Sequence, residues 1–266
     1  MEKLLSKKGI LVVSFGTSYR KVEEVSIRVC EQNIAQSFPD YELRRAFTSS
    51  IIRRILEERD GLFIPDTKQA LQAMLQEGFT EVIVQPLHII PGEEYHEKVL
   101  QPAQAMAGHF TKLLVGRPLL TTINDYKEVV TALHSHLVAP GEFQAHVLMG
   151  HGSSHPANAC YSCLQLMLFE SFPRVFVATV EGYPELAQVI PQLRKQGIRE
   201  VILSPFMLVA GDHAHNDLAG AEEESWQSIL EREGFAVSVI LKGLGEYPVY
   251  QEFFVNRIKD CLEGKP

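Results

Sequence analysis

Residues 81–96, EVIVQPLHIIPGEEYH, align without a gap on residues 200–215, EVILSPFMLVAGDHAH, with six identities in sixteen positions and mostly apolar exchanges elsewhere. A segment that occurs twice constrains the fold more than any other feature of this chain, because each copy needs its own equivalent surroundings. VSFGTS (13–18) over MGHGSS (149–154) extends the duplication to another strand of each half. Around these segments, short β-branched runs alternate with stretches of helical spacing. Strands are expected at 10–15, 41–46, 82–86, 112–115, 145–149, 175–180, 200–204 and 236–241. One intervening helix has Val22, Val25, Val29, Cys30 and Ile34 on one side. Another is opened by Asp66 with Gln69, carries Leu71, Met74 and Leu75, and stops at Gly78. A third carries Leu186, Val189, Ile190 and Leu193 and stops at Gly197.

This β-α alternation predicts parallel sheets covered by helices on both faces. The expected fold is α/β, with two pseudo-symmetric domains, each a four-stranded parallel sheet flanked by helices. The boundaries fall at 1–125 and 126–246, with a final helix within 247–266 that could pack on either half, the N-terminal domain included. With 266 residues, 45% hydrophobic and 22% charged, the chain reads as an ordinary soluble protein able to bury two cores. A net charge of −8 argues against a nucleic-acid or membrane-surface partner. The opening MEKLLSKKGILVVSF places lysines before an apolar run, but that run is too short for a signal sequence and no later run reaches membrane-span length. A cytoplasmic location is expected. Cys160 and Cys163 form a C-x-x-C without a second pair or histidines at ligand spacing, so they read as small apolar residues facing the inside of a helix.

In open parallel sheets, ligands bind at the carboxyl ends of the strands. Strand five ends at His151, strand six at Glu181 and strand seven at His213; the first-half position matching His213 is Glu94. Two histidines and two carboxylates are thus expected to converge on one cleft between the domains, with Phe15 at the position matching His151. Neutral imidazole and carboxylate together suit Co²⁺, Fe²⁺, Ni²⁺ or Zn²⁺ without choosing among them. His88, His96, His155 and His215 lie two to six residues from the better positions and read as supporting or surface groups; His109, His134, His136 and His146 read as structural. GHGSS is not a G-x-S-x-G elbow, and neither SFGTS nor GHGSS is followed by G-K-[ST], so serine-hydrolase and nucleotide-binding readings lack their motifs.

The motifs LLVVSFGTS-like, RAFTS (45–49), LHIIPGEEY (87–95), MGHGSSH (149–155), VEGYPE (180–185) and MLVAGDHAHND (207–217) closely resemble those of the anaerobic sirohydrochlorin cobaltochelatases of the CbiK type, in the same order from the first strand to beyond residue 245. The resemblance implies a class II chelatase fold holding a tetrapyrrole between two α/β domains. It also implies that His151, Glu181 and His213 approach the metal and that Glu94 is a functional acid. The chemistry would be ATP-independent insertion of Co²⁺ into sirohydrochlorin during anaerobic cobalamin synthesis, with no cofactor beyond the substrate metal. Fe²⁺ or Ni²⁺ remain alternative metals, and a sirohaem ferrochelatase or a non-catalytic carrier are the alternative functions. His151, His213 or Glu94 would take the pyrrole protons. Donors for the substrate carboxylates are expected from Arg45, Thr48 and Ser49 at the end of strand two, from Arg53 or Arg54, and from Ser14, Gly16 and Thr17 with Gly152 and Ser153 at the two serine-rich helix starts. The expected partners are sirohydrochlorin and a divalent metal; homo-oligomer formation is left open.

Overall fold

The structure, a computed structural model, describes residues 7–137 and 140–265. The chain divides into two compact units, with breaks between Leu119 and Leu120 and between Tyr250 and Gln251. The first break precedes the helix Ile123–His136, whose capping box of Thr122 and Asp125 makes residue 125 part of a helix start rather than a linker. Residues from Gln251 onward group with the first unit. There Asn33 donates to Gln251 Oε1 at 2.6 Å, and Arg117 pairs with Asp260 at 2.8 Å.

The first unit holds strands β1 (Lys7–Ser14), β2 (Glu42–Phe47), β3 (Phe79–Pro86) and β4 (Lys112–Val115), all parallel, in the order β2-β1-β3-β4. The second holds β5 (Gln144–Gly152), β6 (Val175–Glu181), β7 (Glu200–Pro205) and β8 (Ala236–Val239), parallel in the order β6-β5-β7-β8. The expected eight strands and two four-stranded parallel sheets are therefore all present. The duplication reaches the register: Val13 pairs with Pro86, and in the second unit Met149 pairs with Pro205. Leu87 N–H donates to the Val13 carbonyl at 2.8 Å as Phe206 N–H does to that of Met149 at 2.7 Å.

Each sheet carries its own core. Leu11, Val13, Val82 and Val84 pack with Leu71, Met74 and Val99 in the first unit; Val147, Met149, Val201 and Leu203 pack with Val189, Leu193 and Trp226 in the second. The capping box at Asp66–Gln69 is formed, and its helix spans Thr67–Gln76. The helix expected to carry Val22 through Ile34 on one face is instead two, Arg20–Val25 and Ile27–Ser37, interrupted at Ser26. The interruption leaves Val25 exposed and turns Glu23 and Glu31 inward. Arg45 on β2 is their partner, joining Glu31 through Nε at 2.7 Å and Glu23 through a terminal nitrogen at 2.7 Å.

In each unit the chain leaves the central strand in one direction for the second strand and in the other for the third. The carboxyl ends of β1 and β3, and of β5 and β7, therefore flank the point where a parallel sheet opens a crevice for ligands.

Candidate active site

His151 is the penultimate residue of β5, and His213 follows the loop after β7, so both stand at the opening of the second sheet. Their rings lie perpendicular with centroids 4.7 Å apart. His151 Nδ1 is 3.0 Å from the Gly152 carbonyl, an acceptor only, which requires the proton on Nδ1. His213 Nδ1 is 2.5 Å from Asp217 Oδ2. With both Nδ1 atoms facing oxygen acceptors, the neutral form of each imidazole carries its lone pair on Nε2, the atom that binds a metal or accepts a proton.

The backbone explains why these side chains stand where they do. Gly152 has φ +84°, a conformation disfavoured for residues with a β-carbon, and it turns the chain directly after His151. Gly152 pairs with Glu181, the exposed last residue of β6, which sets the Glu181 backbone beside the His151 turn. Asn158 ties the two loops together: its amide donates to the Tyr183 carbonyl at 2.6 Å, and its oxygen accepts from Ser153 N–H at 3.1 Å. After β7, a π-helical turn over Ala214–Leu218 begins directly beyond His213, and the first unit has its counterpart at His96–Leu100 beyond Glu94. His215 N–H donates to Gly211 at 3.1 Å as His96 N–H donates to Gly92 at 3.0 Å. Such wide turns are rare and concentrate at functional sites.

Of the expected ligand set, the structure brings His151 and His213 together. Among the described residues no group of three or more His, Cys, Asp or Glu side chains is arranged to hold a metal, so Glu181 does not close a triad with them. Glu94 stands in the first unit, half-buried, with Oε2 shielded from solvent and without a hydrogen-bond partner. His88, six positions earlier, has both ring nitrogens buried and unpartnered although the residue as a whole is only half-buried; burial lowers its pKa from 6.5 to about 4. His215 is exposed, and His155 Nδ1 accepts from Ala157 N–H at 3.1 Å, capping a short turn. His134 and His136 contact the carbonyls of Val130 and Ala132 in their own helix, and His146 is fully buried in β5.

The expected substrate donors divide into engaged and unengaged groups. Arg45 is committed to Glu23 and Glu31, which removes it as a source of uncompensated positive charge. Burial pushes the Glu31 carboxyl upward, against the lowering effect of Arg45. Arg53 reaches Gln69 and Asp66. Ser49 caps the helix Ser50–Asp60, accepting from Ile52 N–H at 3.3 Å. Thr17 and Ser153, which match in the duplication, make the same local bond: each hydroxyl accepts from the N–H two residues on, Tyr19 at 3.2 Å and His155 at 3.0 Å. The hydroxyls of Ser14 and Thr48, by contrast, are buried without a partner at neighbouring strand ends, where Thr48 N–H donates to the Ser14 carbonyl at 2.9 Å. Gly16, at φ +93°, repeats the turn of Gly152, and the preceding Phe15 is exposed where the second unit has His151.

Cys160 and Cys163 lie on the helix Ala159–Ser171, unbonded to each other. Burial raises the Cys160 thiol pKa, opposed by a hydrogen bond with Tyr126. Two residues escaped the sequence reading: Asp217, four positions after His213, and Asn158. The Asp217 spacing was visible, but its use depended on the π turn.

A family model described as Cobalt chelatase (CbiK) matches residues 8–263. The chain is 44% identical over 257 residues to the sirohydrochlorin cobaltochelatase of Salmonella typhimurium strain LT2, covering 96% of this chain and 97% of that protein. It is 37% identical over 268 residues to the sirohydrochlorin cobaltochelatase CbiKC of Nitratidesulfovibrio vulgaris strain Hildenborough, covering 98% and 92%. Among solved structures, SirB from Bacillus subtilis with Fe³⁺ superposes with a TM-score of 0.63 at 18% identity, covering 97% of this chain and 98% of that one. CbiX, described as the terminal enzyme of sirohaem biosynthesis in denitrifying bacteria, superposes at 0.56 with 15% identity, covering 95% and 98%. The structural likenesses bear on the fold alone.

Proposed function

The chain belongs to the CbiK cobalt chelatase family, and on that premise we propose that it inserts Co²⁺ into sirohydrochlorin, with His151 and His213 as the metal-facing pair. The observation that carries this reading is the perpendicular imidazole pair, each ring with its Nδ1 engaged by an oxygen acceptor. Insertion exchanges one hydrated divalent cation for two pyrrole protons. The metal must shed water, meet the ring nitrogens, and leave its protein ligands for the macrocycle. Two imidazole nitrogens suit such a transfer, because neutral nitrogen donors replace water on a divalent first-row ion without the charge of a closed thiolate or carboxylate cage. Glu181 lies at the neighbouring strand end, where its carboxylate would guide the cation toward the imidazoles.

Each released proton needs an acceptor. An imidazole Nε2 vacated by the metal serves for one, and the Glu94 carboxylate is the proposed acceptor for the other. Ser14 and Thr48 offer hydroxyl donors to substrate carboxylates; Ser49, Thr17 and Ser153 contribute through the backbone turns they hold, which Gly16 and Gly152 make possible. Arg45 is left out of the donor set because its charge is already balanced. Arg54, exposed on the helix Ser50–Asp60, takes its place.

The deciding experiment follows absorbance of sirohydrochlorin with purified protein and Co²⁺, Fe²⁺ or Ni²⁺ in turn, against each spontaneous rate. Catalysed Co²⁺ insertion that falls with His151→Ala and His213→Ala supports the reading. Metal or tetrapyrrole binding without acceleration would make the protein a carrier, and a strong preference for Fe²⁺ would move it to sirohaem synthesis.

A further inference from the structure

Asp217 Oδ2 makes a short contact with His213 Nδ1, and nothing in metal ligation by His213 itself requires it. We propose that Asp217 is a positioning residue for metal delivery: its carboxylate fixes the Nδ1–H tautomer and the plane of the His213 ring, so that Nε2 is held ready toward the metal. This inference rests on the proposed metal role of His213.

Three observations carry it. First, Asp217 Oδ2 lies 2.5 Å from His213 Nδ1. A carboxylate accepts but does not donate, so the pairing selects one of the two neutral tautomers. Second, the ring so held faces His151, whose own Nδ1 is fixed by the Gly152 carbonyl. The pair thus uses two different acceptors for one outcome, a backbone carbonyl on the rigid strand and a side chain on the turn. His213 lies outside any strand, so its ring lacks the backbone support that His151 has and is oriented by a side chain instead. Third, the duplication acts as an internal control. The first unit has the corresponding π turn, but Glu94 and Lys98 occupy the positions of His213 and Asp217. The acid appears in the copy that has an imidazole to orient.

Outer-shell carboxylates on ligating histidines typically change metal affinity or activity by about 10–100-fold when removed. The test compares the wild-type protein with Asp217→Asn, Asp217→Ala, Asp217→Glu and His213→Ala. Nitrogen-15 NMR of labelled imidazoles reads the His213 tautomer, with the His213→Ala spectrum giving the assignment. Co²⁺ alone is titrated for affinity, and sirohydrochlorin with Co²⁺ gives the insertion rate. Wild-type His213 is expected as the Nδ1–H tautomer. Asp217→Asn can turn its amide N–H toward Nδ1, so it should move the proton to Nε2, as an Asn does when it replaces the orienting Asp of a catalytic triad. Co²⁺ affinity should then fall about tenfold or more. Asp217→Ala should lower affinity similarly while leaving the tautomer mixed, and Asp217→Glu should restore part of both. Thermal melts accompany every variant, and an unfolded Asp217→Ala leaves the Asn and Glu pair to decide. An unchanged tautomer and unchanged Co²⁺ affinity in folded Asp217→Asn overturn the inference while His213→Ala still tests the metal role. Unimpaired Co²⁺ binding and insertion in His213→Ala overturn the metal role itself, whatever the tautomer shows.

Discussion

Gly152 lies so close to Glu181 across β5 and β6 that a β-carbon on it would stand 2.2 Å from the Glu181 carbonyl oxygen. The obstacle is backbone, which cannot rotate aside, and the φ of +84° adds its own penalty for any residue but glycine. Gly152→Ala should therefore cost about 1–3 kcal/mol from conformation alone, with more from the clash. The displaced turn takes His151 with it, so Co²⁺ insertion should fall well beyond the loss of stability. A thermal melt and an insertion rate on the same preparation check this; a melt and rate both equal to wild type would show that the turn has slack.

His213→Ala and His215→Ala distinguish the metal-facing histidine from its exposed neighbour. His213 is half-buried against His151 and outside both apolar cores, whereas His215 points to solvent. A lost general base alone typically costs ~100-fold or more, and the lost ligand adds to it. His213→Ala should reduce insertion by at least that factor with an unchanged melt, and His215→Ala by much less. Equal losses would mean that the wrong histidine is on the metal.

Cys160 and Cys163 should be dispensable. Both are free of disulfides and half-buried on one helix, and burial holds the Cys160 thiol above its usual range. The double alanine variant should keep insertion within a few-fold and lose only modest packing stability. A loss of tenfold or more, equal to about 1.4 kcal/mol at the barrier, in a folded variant would give the pair a functional role.

His88 makes stability depend on pH. Its folded-state pKa, about 4, lies below the reference value of 6.5, because burial disfavours the charged ring. The stability this protects is complete above pH 6.5 and is lost as pH falls toward 4, where the unfolded chain binds a proton that the folded chain refuses. The swing is roughly 3 kcal/mol. His88→Met, the residue found at the matching position 207, should flatten the acid limb of stability between those values and remove two unpartnered buried nitrogens. Melts from pH 4 to 7 on both proteins read the difference. If the limb persists unchanged in His88→Met, another group sets it.

The two sheets were legible because short continuous apolar runs mark the strands of a sheet covered on both faces, and the gapless duplication states the equivalence of the two halves. The strand end at His151 was legible for a related reason: a strand end is found by where its apolar run stops, whereas β7 stops at Pro205 and His213 lies beyond the following loop, not at the strand end where it was expected. What sequence spacing could not show was the purpose of charge. Glu23, Glu31 and Arg45 are separated along the chain, and only the fold makes them a cluster, with the helix interrupted at Ser26 between the two acids. Arg45 looked like a substrate donor because its two counter-ions were invisible. Asp217 was not singled out because an ordinary helix and a π turn read alike in one sequence. Glu181 ends β6 as expected, yet the ending of a strand fixes a Cα position and not the direction of a carboxylate.

The π turns after β3 and β7 have the same length, begin within one residue of each other in the duplication, and share the bond back to Gly92 or Gly211. One mount thus carries Glu94 and Lys98 in one unit and His213 and Asp217 in the other. Divergence between the halves at this place was a matter of side chains on an inherited backbone, which makes the chemistry portable. Exchanging two residues in the first unit, Glu94→His with Lys98→Asp, would place an imidazole and its carboxylate on a turn of the same kind.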